Sequence, residues 1–181
     1  STDIADVRRY LGEFLMDPFV LSAPTIIRAL IVYGFILPFR PRKSAEAYAS
    51  IWTDEGSPLL TGSQKLAREL ASELHAPVAL SMRYGNPSIE AGIQDLAAQG
   101  VEHVIVVPLY AQHADSTVTT SIRAVEAVLP GTMRHSILPP FYAADEHSQA
   151  WGELIKQNLP AQWDHILLSY HGVPEQHLRK A

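Results

Sequence analysis

The sequence predicts an α/β fold, one doubly wound parallel sheet preceded by a helical N-terminal extension. Three observations predict it. From residue 77 onward, short runs of strand length alternate with amphipathic segments of helix length. The connections between them are short, as in parallel βαβ units with right-handed crossovers. Before residue 77 the period is helical throughout. At 181 residues, with no repeat or low-complexity linker, the chain suits one domain with a sizeable core.

Residues 6–16 (DVRRYLGEFLM) place Val7, Tyr10, Leu11, Phe14 and Leu15 on one side of a helix, which Asp17-Pro18 ends. A second helix follows Pro24. Residues 40–52 begin with Pro41 near a helix start and carry Ala45, Tyr48, Ala49 and Trp52 at helical spacing. Residues 56–74 open on Ser57-Pro58, an N-cap followed by an N1 proline. Residues 77–84 (PVALSMRY) read as a short strand. The stretch 86–100 reads as a helix with Asn86 as cap, Pro87 at N1 and Gly100 at its end. Residues 103–110 (HVIVVPLY) form a β-branched run that suits a strand buried on both faces. Residues 115–131 predict a helix whose three threonines weaken its first turns. Residues 133–138 predict a strand, 143–159 a helix, and 164–171 (DHILLSYH) a last buried strand.

Composition narrows the function classes. Hydrophobic residues make up 47% and charged residues 18%, an ordinary soluble balance. A net charge of -5 argues against a nucleic-acid surface, which needs a basic face. With no cysteine there is no disulfide, thiolate nucleophile or Cys-ligated metal, which is compatible with a reducing cytoplasm. No signal peptide or lipidation box is visible. Residues 19–39 (FVLSAPTIIRALIVYGFILPF) contain Pro24 and Arg28, and the apolar run from Ala29 to Leu37 is too short to span a bilayer. Two uses remain for it, a core helix or an apolar lip, and the sequence alone weights core above lip.

In open parallel sheets, ligands bind beyond the carboxyl ends of the strands, where loops converge. Met82 to Tyr84, Pro108 to Asp115 and Ser169 to Pro174 fall at such ends. His171 stands out from the other histidines, which read as loop or capping residues. It ends an apolar run, and Gly172 leaves room for something to approach. Neutral imidazole there can accept a proton or bind a borderline divalent metal such as ferrous iron. For Arg83, a structural ion pair with a nearby acid and a fork for a ligand carboxylate are evenly matched. Tyr110, Gln112, His113 and Asp115 precede a helix start. No GxGxxG, Walker or GxSxG pattern occurs, which weakens nucleotide and hydrolase readings.

These stretches in this order resemble ferrochelatase. The matching pieces are residues 7–20 (VRRYLGEFLMDPFV), 40–60 (RPRKSAEAYASIWTDEGSPLL), 82–89 (MRYGNPSI), 104–118 (VIVVPLYAQHADSTV) and 167–174 (LLSYHGVP). The resemblance implies a Rossmann-like, chelatase-like fold of two lobes, of which residues 1–181 form the N-terminal one. Within it, 1–56 would be a helical lip region and 57–181 the βα sheet lobe. It implies insertion of ferrous iron, the substrate metal, into a porphyrin held in the cleft, with no organic cofactor. On the family pattern, His171 is the catalytic histidine and metal ligand. Arg40, Tyr48, Ser57, Arg83, Tyr110 and Gln112 match porphyrin-binding positions, with apolar walls from Leu11, Phe14, Leu15, Ile26 and Leu30. The weighting of residues 19–39 shifts to lip, and peripheral membrane contact through the apolar helices of 10–40 becomes an expectation beside a cytoplasmic location.

The chain departs from the family at Ala111, His113 and Ala114, where Tyr-Pro-Gln-Tyr-Ser is usual. It lacks the family's leading strand and the second lobe, which carries the acid facing His171, so this stretch alone is expected to be inactive. Cysteines of iron–sulfur variants lie chiefly in that lobe, so the zero count here leaves a cluster undecided. A cobalt chelatase of corrin synthesis and a non-catalytic tetrapyrrole-binding domain are the alternatives.

Overall fold

A computed structural model describes residues 2–172 and Glu175. Helix α1 (Ile4–Leu15) starts where the Asp3 carboxylate accepts the Ala5 N–H at 2.7 Å, satisfying one of the open donors of the first turn. Its inward stripe, Val7 and Leu11, is one turn apart. Helix α2 (Thr25–Ala29) runs directly into a π-helical segment, Leu30–Ile36, at whose end the Leu37 N–H reaches back to the Val32 carbonyl at 2.8 Å. Helix α3 (Arg40–Ala49) has Pro41 in its first turn. Val7, Leu11, Val32, Leu37 and Ala45 form the first core, with α1 packed on α3 and on the π segment.

A second core lies further along the chain. Helix α4 (Pro58–Leu74) closes on His75 in the left-handed region, φ 49°. Helix α5 (Ile89–Ala98) is followed by strand β1 (His103–Val106), and β2 (Arg134–Ile137) pairs parallel to β1 in register His103 with Arg134 through Val106 with Ile137. Between them stand a π turn, Asp115–Thr119, and helix α6 (Thr120–Val128). Helix α7 (Asp145–Asn158) ends the described helices. Ile93, Leu96, Val104, Val125 and Met133 bring α5, α6 and one face of the sheet together. Gly92 lets α5 lie close against residues 79–81, because a Cβ there would overlap Ser81 Oγ.

The α/β class and the helices stand, but several details differ from the sequence reading. Ser88, not Asn86, caps α5, its Oγ accepting the Ala91 N–H at 3.1 Å. The threonine-rich start of the 115–131 helix is indeed weak and takes the wider π geometry. Of the strand predicted at 77–84, only Met82 pairs, with Ser88. Strand β1 is buried on one face only, since Ile105 is 65% exposed. The predicted last strand, 164–171, forms no strand, with Leu167 92% and Tyr170 80% exposed. One cause covers the two unformed strands. A strand is stable only beside a partner that takes up its N–H and C=O groups. Among the described residues, β1 and β2 find only each other.

Residues 24–39 divide by face. Val32, Leu37 and Arg28 turn inward, whereas Ile26, Ile27, Leu30, Tyr33, Phe35 and Phe39 face solvent. Six large apolar side chains of this stretch are thus exposed rather than core. No helix among the described residues is long and apolar enough to cross a membrane.

Candidate functional site

Four half-buried rings meet beside the carboxyl end of α1. Tyr10 and Phe14, one turn apart, stack with centroids 5.9 Å apart and planes 4° apart. Tyr48 from α3 meets Tyr10 edge-on at 6.4 Å. Tyr84 meets Phe14 at 5.3 Å and Tyr10 at 6.4 Å, both edge-on. Burial, reinforced by the neighbouring phenols of Tyr48 and Tyr110, raises the Tyr10 pKa to about 12. Two residues read as site positions, Tyr48 and Tyr110, thus converge on Tyr10.

Behind the rings lies a buried polar node. The Asp17 side chain is 3% exposed and receives four donors. These are the Arg83 Nη2–H at 2.5 Å, the Tyr84 hydroxyl at 2.9 Å, the Phe19 N–H at 2.8 Å and the Thr120 hydroxyl. Burial pushes the Asp17 carboxyl up. The bonds from Thr120, Phe19 and Tyr84, with the Arg83 charge, outweigh it and hold the group below its ordinary range. Tyr84 moves the other way: burial, then its bond to Asp17 and the charge there, raise its phenol. Arg83 Nε also donates to the Thr120 carbonyl at 3.1 Å, and its guanidinium carbon lies 4.4 Å from the centre of the Tyr84 ring. A cavity of about 290 Å³ opens beside the node between Glu13, Phe19, Arg83 and Arg123. A groove of about 980 Å³ runs along Arg8, Gly12, Met16, Tyr33 and Leu37 and shares Glu13 and Met16 with that cavity, a volume at the upper end of ligand sites.

The family model for ferrochelatase matches residues 1–181. The chain belongs to the ferrochelatase family. It is 51% identical to the ferrochelatase of Ectopseudomonas mendocina, aligned over 99% of this chain and 54% of that protein. The ferrochelatase of Pseudomonas syringae pv. syringae is 50% identical over the same shares. That of Azotobacter vinelandii is 49% identical over all of this chain and 54% of its own length. The chain spans about half the length of the curated relatives it matches.

The remaining site positions of this ferrochelatase-family chain are spread out. Arg40 begins α3, exposed and with no acidic partner among the described residues. Ser57 precedes α4 but makes no capping bond through its side chain; its carbonyl accepts the Thr61 N–H at 2.9 Å. Gln112 and His171 are exposed and make no hydrogen bond or ion pair among the described residues. Val173 and Pro174, which complete the His171 motif, lie outside the described residues. His113 engages Thr119 through Nε2 at 3.1 Å, while its Nδ1 is buried without a partner. Leu11, expected in the wall, is instead core. No cluster of three metal-ligating side chains occurs among the described residues.

The Arg83 guanidinium is engaged by Asp17 and Thr120 and also lines the cavity beside them. Sequence reasoning missed Asp17 and Thr120 altogether. Asp17 registered only as a helix stop before a proline, and its one local signal, a lone acid between apolar Met16 and Phe19, is weak.

Proposed function

We propose that the protein is the N-terminal lobe of a ferrochelatase and helps insert ferrous iron into a porphyrin, protoporphyrin IX or coproporphyrin III, to make haem. The observation that carries this reading is the family match over the whole chain. The ring cluster is chemically apt, since half-buried aromatic faces suit a flat macrocycle.

Metal entry replaces two pyrrole N–H protons with one Fe²⁺ and requires the ring to bend. Contacts to its faces, edge and propionates supply the binding energy that offsets this strain. Tyr48, Ser57, Tyr110 and Gln112 line the porphyrin site in this reading. The exposed Arg40, with no acid of its own among the described residues, suits a propionate. His171 accepts one of the two protons or passes on the metal; its exposed imidazole is accessible for both. Its acidic partner belongs to the second lobe. No organic cofactor enters the reaction. The protein would reside in the cytoplasm and rest its lip on a membrane surface, with Phe35 and Phe39 among the contacts.

Anaerobic Fe²⁺ insertion by the full-length gene product, followed by haem absorbance, tests the reading. Turnover by the full protein and none by the 181-residue stretch is the expected result. A full protein that binds porphyrin yet takes up no iron would overturn it and leave the tetrapyrrole-binding domain.

A further inference from the structure

The helical region before α4 and the α5–α6–sheet layer are each packed internally, with α1 on α3 and α5 on α6. What joins them around Asp17 is narrow. The carboxylate bonds Arg83, Tyr84 and Thr120, and a Glu13 carboxylate oxygen accepts the Gly85 N–H at 3.2 Å. The edges of Tyr10 and Phe14 on Tyr84 complete the junction.

We infer that Asp17 is a positioning residue for tetrapyrrole binding, fixing the Tyr84 ring against Tyr10 and Phe14 so that rings from distant parts of the chain form one wall. This rests on the porphyrin reading above. Tyr84 is held at three points: its hydroxyl by Asp17, its face by the Arg83 guanidinium, and its ring by the T-shaped contact with Phe14. Two of these run through the same carboxylate, because Asp17 also sets Arg83 in place. Neutralising Asp17 removes the charged partner of Arg83 and loosens both restraints together, while Tyr10 and Tyr48 keep their own supports in the first core and Phe14 keeps its stack on Tyr10. The wall then loses the orientation of one member and none of its residues. The loss belongs to ground-state binding of the macrocycle, so it appears in the porphyrin KM and dissociation constant rather than in kcat.

The test uses full-length protein carrying Asp17→Asn, which keeps the shape of the side chain, and Tyr84→Phe, which keeps the ring and removes its anchor. Metal-free titration by porphyrin fluorescence gives Kd, and steady-state insertion gives KM and kcat. The expected result is a Kd and KM raised about tenfold in Asp17→Asn, the scale of one charge-assisted hydrogen bond, with a smaller rise in Tyr84→Phe and little change in kcat. Folded variants that bind porphyrin like the wild type, with only a lowered melting temperature, would make the node purely structural and overturn the inference alone. Should Asp17→Asn not fold, Tyr84→Phe decides by the same comparison. A wild-type protein that binds no porphyrin overturns the functional reading and this inference with it.

Discussion

Arg83 and Asp17 are 66 positions apart, yet the guanidinium Nη2 meets the carboxylate Oδ2 at 2.5 Å, beneath a carboxyl side chain only 3% exposed. Because the folded state holds this carboxyl below its ordinary range, the unfolded chain takes up its proton first on acidification. The resulting stability is fully present above the unfolded value and is lost as pH falls through the folded one. Asp17→Asn is therefore expected to cost about 3–5 kcal/mol near neutral pH, the range for breaking a buried pair, and progressively less below about pH 4. Urea midpoints of both proteins across that window check it; a gap independent of pH would show that the charge is not what stabilises the node.

The Tyr10 phenol gives the opposite sign. Its pKa, raised to about 12 from the ordinary 10.0, favours the folded state below the unfolded value, and this contribution disappears as pH rises through the folded one. Alkaline titration of phenolate absorbance should find two tyrosines ionising late, Tyr10 and Tyr84. Tyr48→Phe should bring the Tyr10 transition to lower pH and leave that of Tyr84 in place, since after burial the Tyr48 phenol is what raises Tyr10. Two late transitions both unchanged in that variant would rule out the contact.

A methyl group at position 92 should be felt directly. Gly92→Ala forces Ser81 Oγ away from the Ser88 carbonyl, 3.3 Å from it, at an overpacking cost of about 1–3 kcal/mol. Ser81→Ala in the same chain should recover most of that loss. Additive effects of the two substitutions in denaturant melts would contradict the close approach.

His171→Ala in the full-length protein should abolish iron insertion and leave the melting temperature nearly unchanged, because the side chain is exposed and makes no hydrogen bond among the described residues. Retained turnover would remove His171 from the reaction.

The lip can be tested apart from catalysis. Phe35 and Phe39 are 66% and 77% exposed. Serine at both positions should strongly weaken co-flotation with phospholipid vesicles, since each buried phenylalanine is worth about 1.5–3 kcal/mol. Equal flotation of variant and wild type would place any membrane contact elsewhere.

What could be read from the sequence was mostly local. The α1 stripe of Val7 and Leu11, the stop at Asp17-Pro18 and the weak threonine-rich start before α6 depend on spacing of a few residues, and all three are found. The helix opening near Pro87 was recognisable, but Asn86 and Ser88 compete as caps over two positions and only the backbone separates them. Strands were harder for a physical reason. The run 164–171 has the composition of a core strand, but composition carries no information about whether a ladder partner stands beside it. The candidate site divides the same way. His171 is marked by Gly172 next to it, whereas the roles of Asp17 and Thr120 exist only once residues 17, 83 and 120 come together.

The wide turn between Leu30 and Ile36 acts as a rotational spacer. A regular helix advances about 100° per residue, so one residue accommodated in the broader ring re-aims everything after it. Deleting a single position there would restore the ordinary pitch and swing Phe39, Arg40 and the inward side of α3 around the axis, taking Ala45 off its seat among Val7, Leu11, Val32 and Leu37. Leu30, Tyr33 and Phe35 within the segment and Phe39 beyond it can thus lie outward while Val32 and Leu37 turn inward.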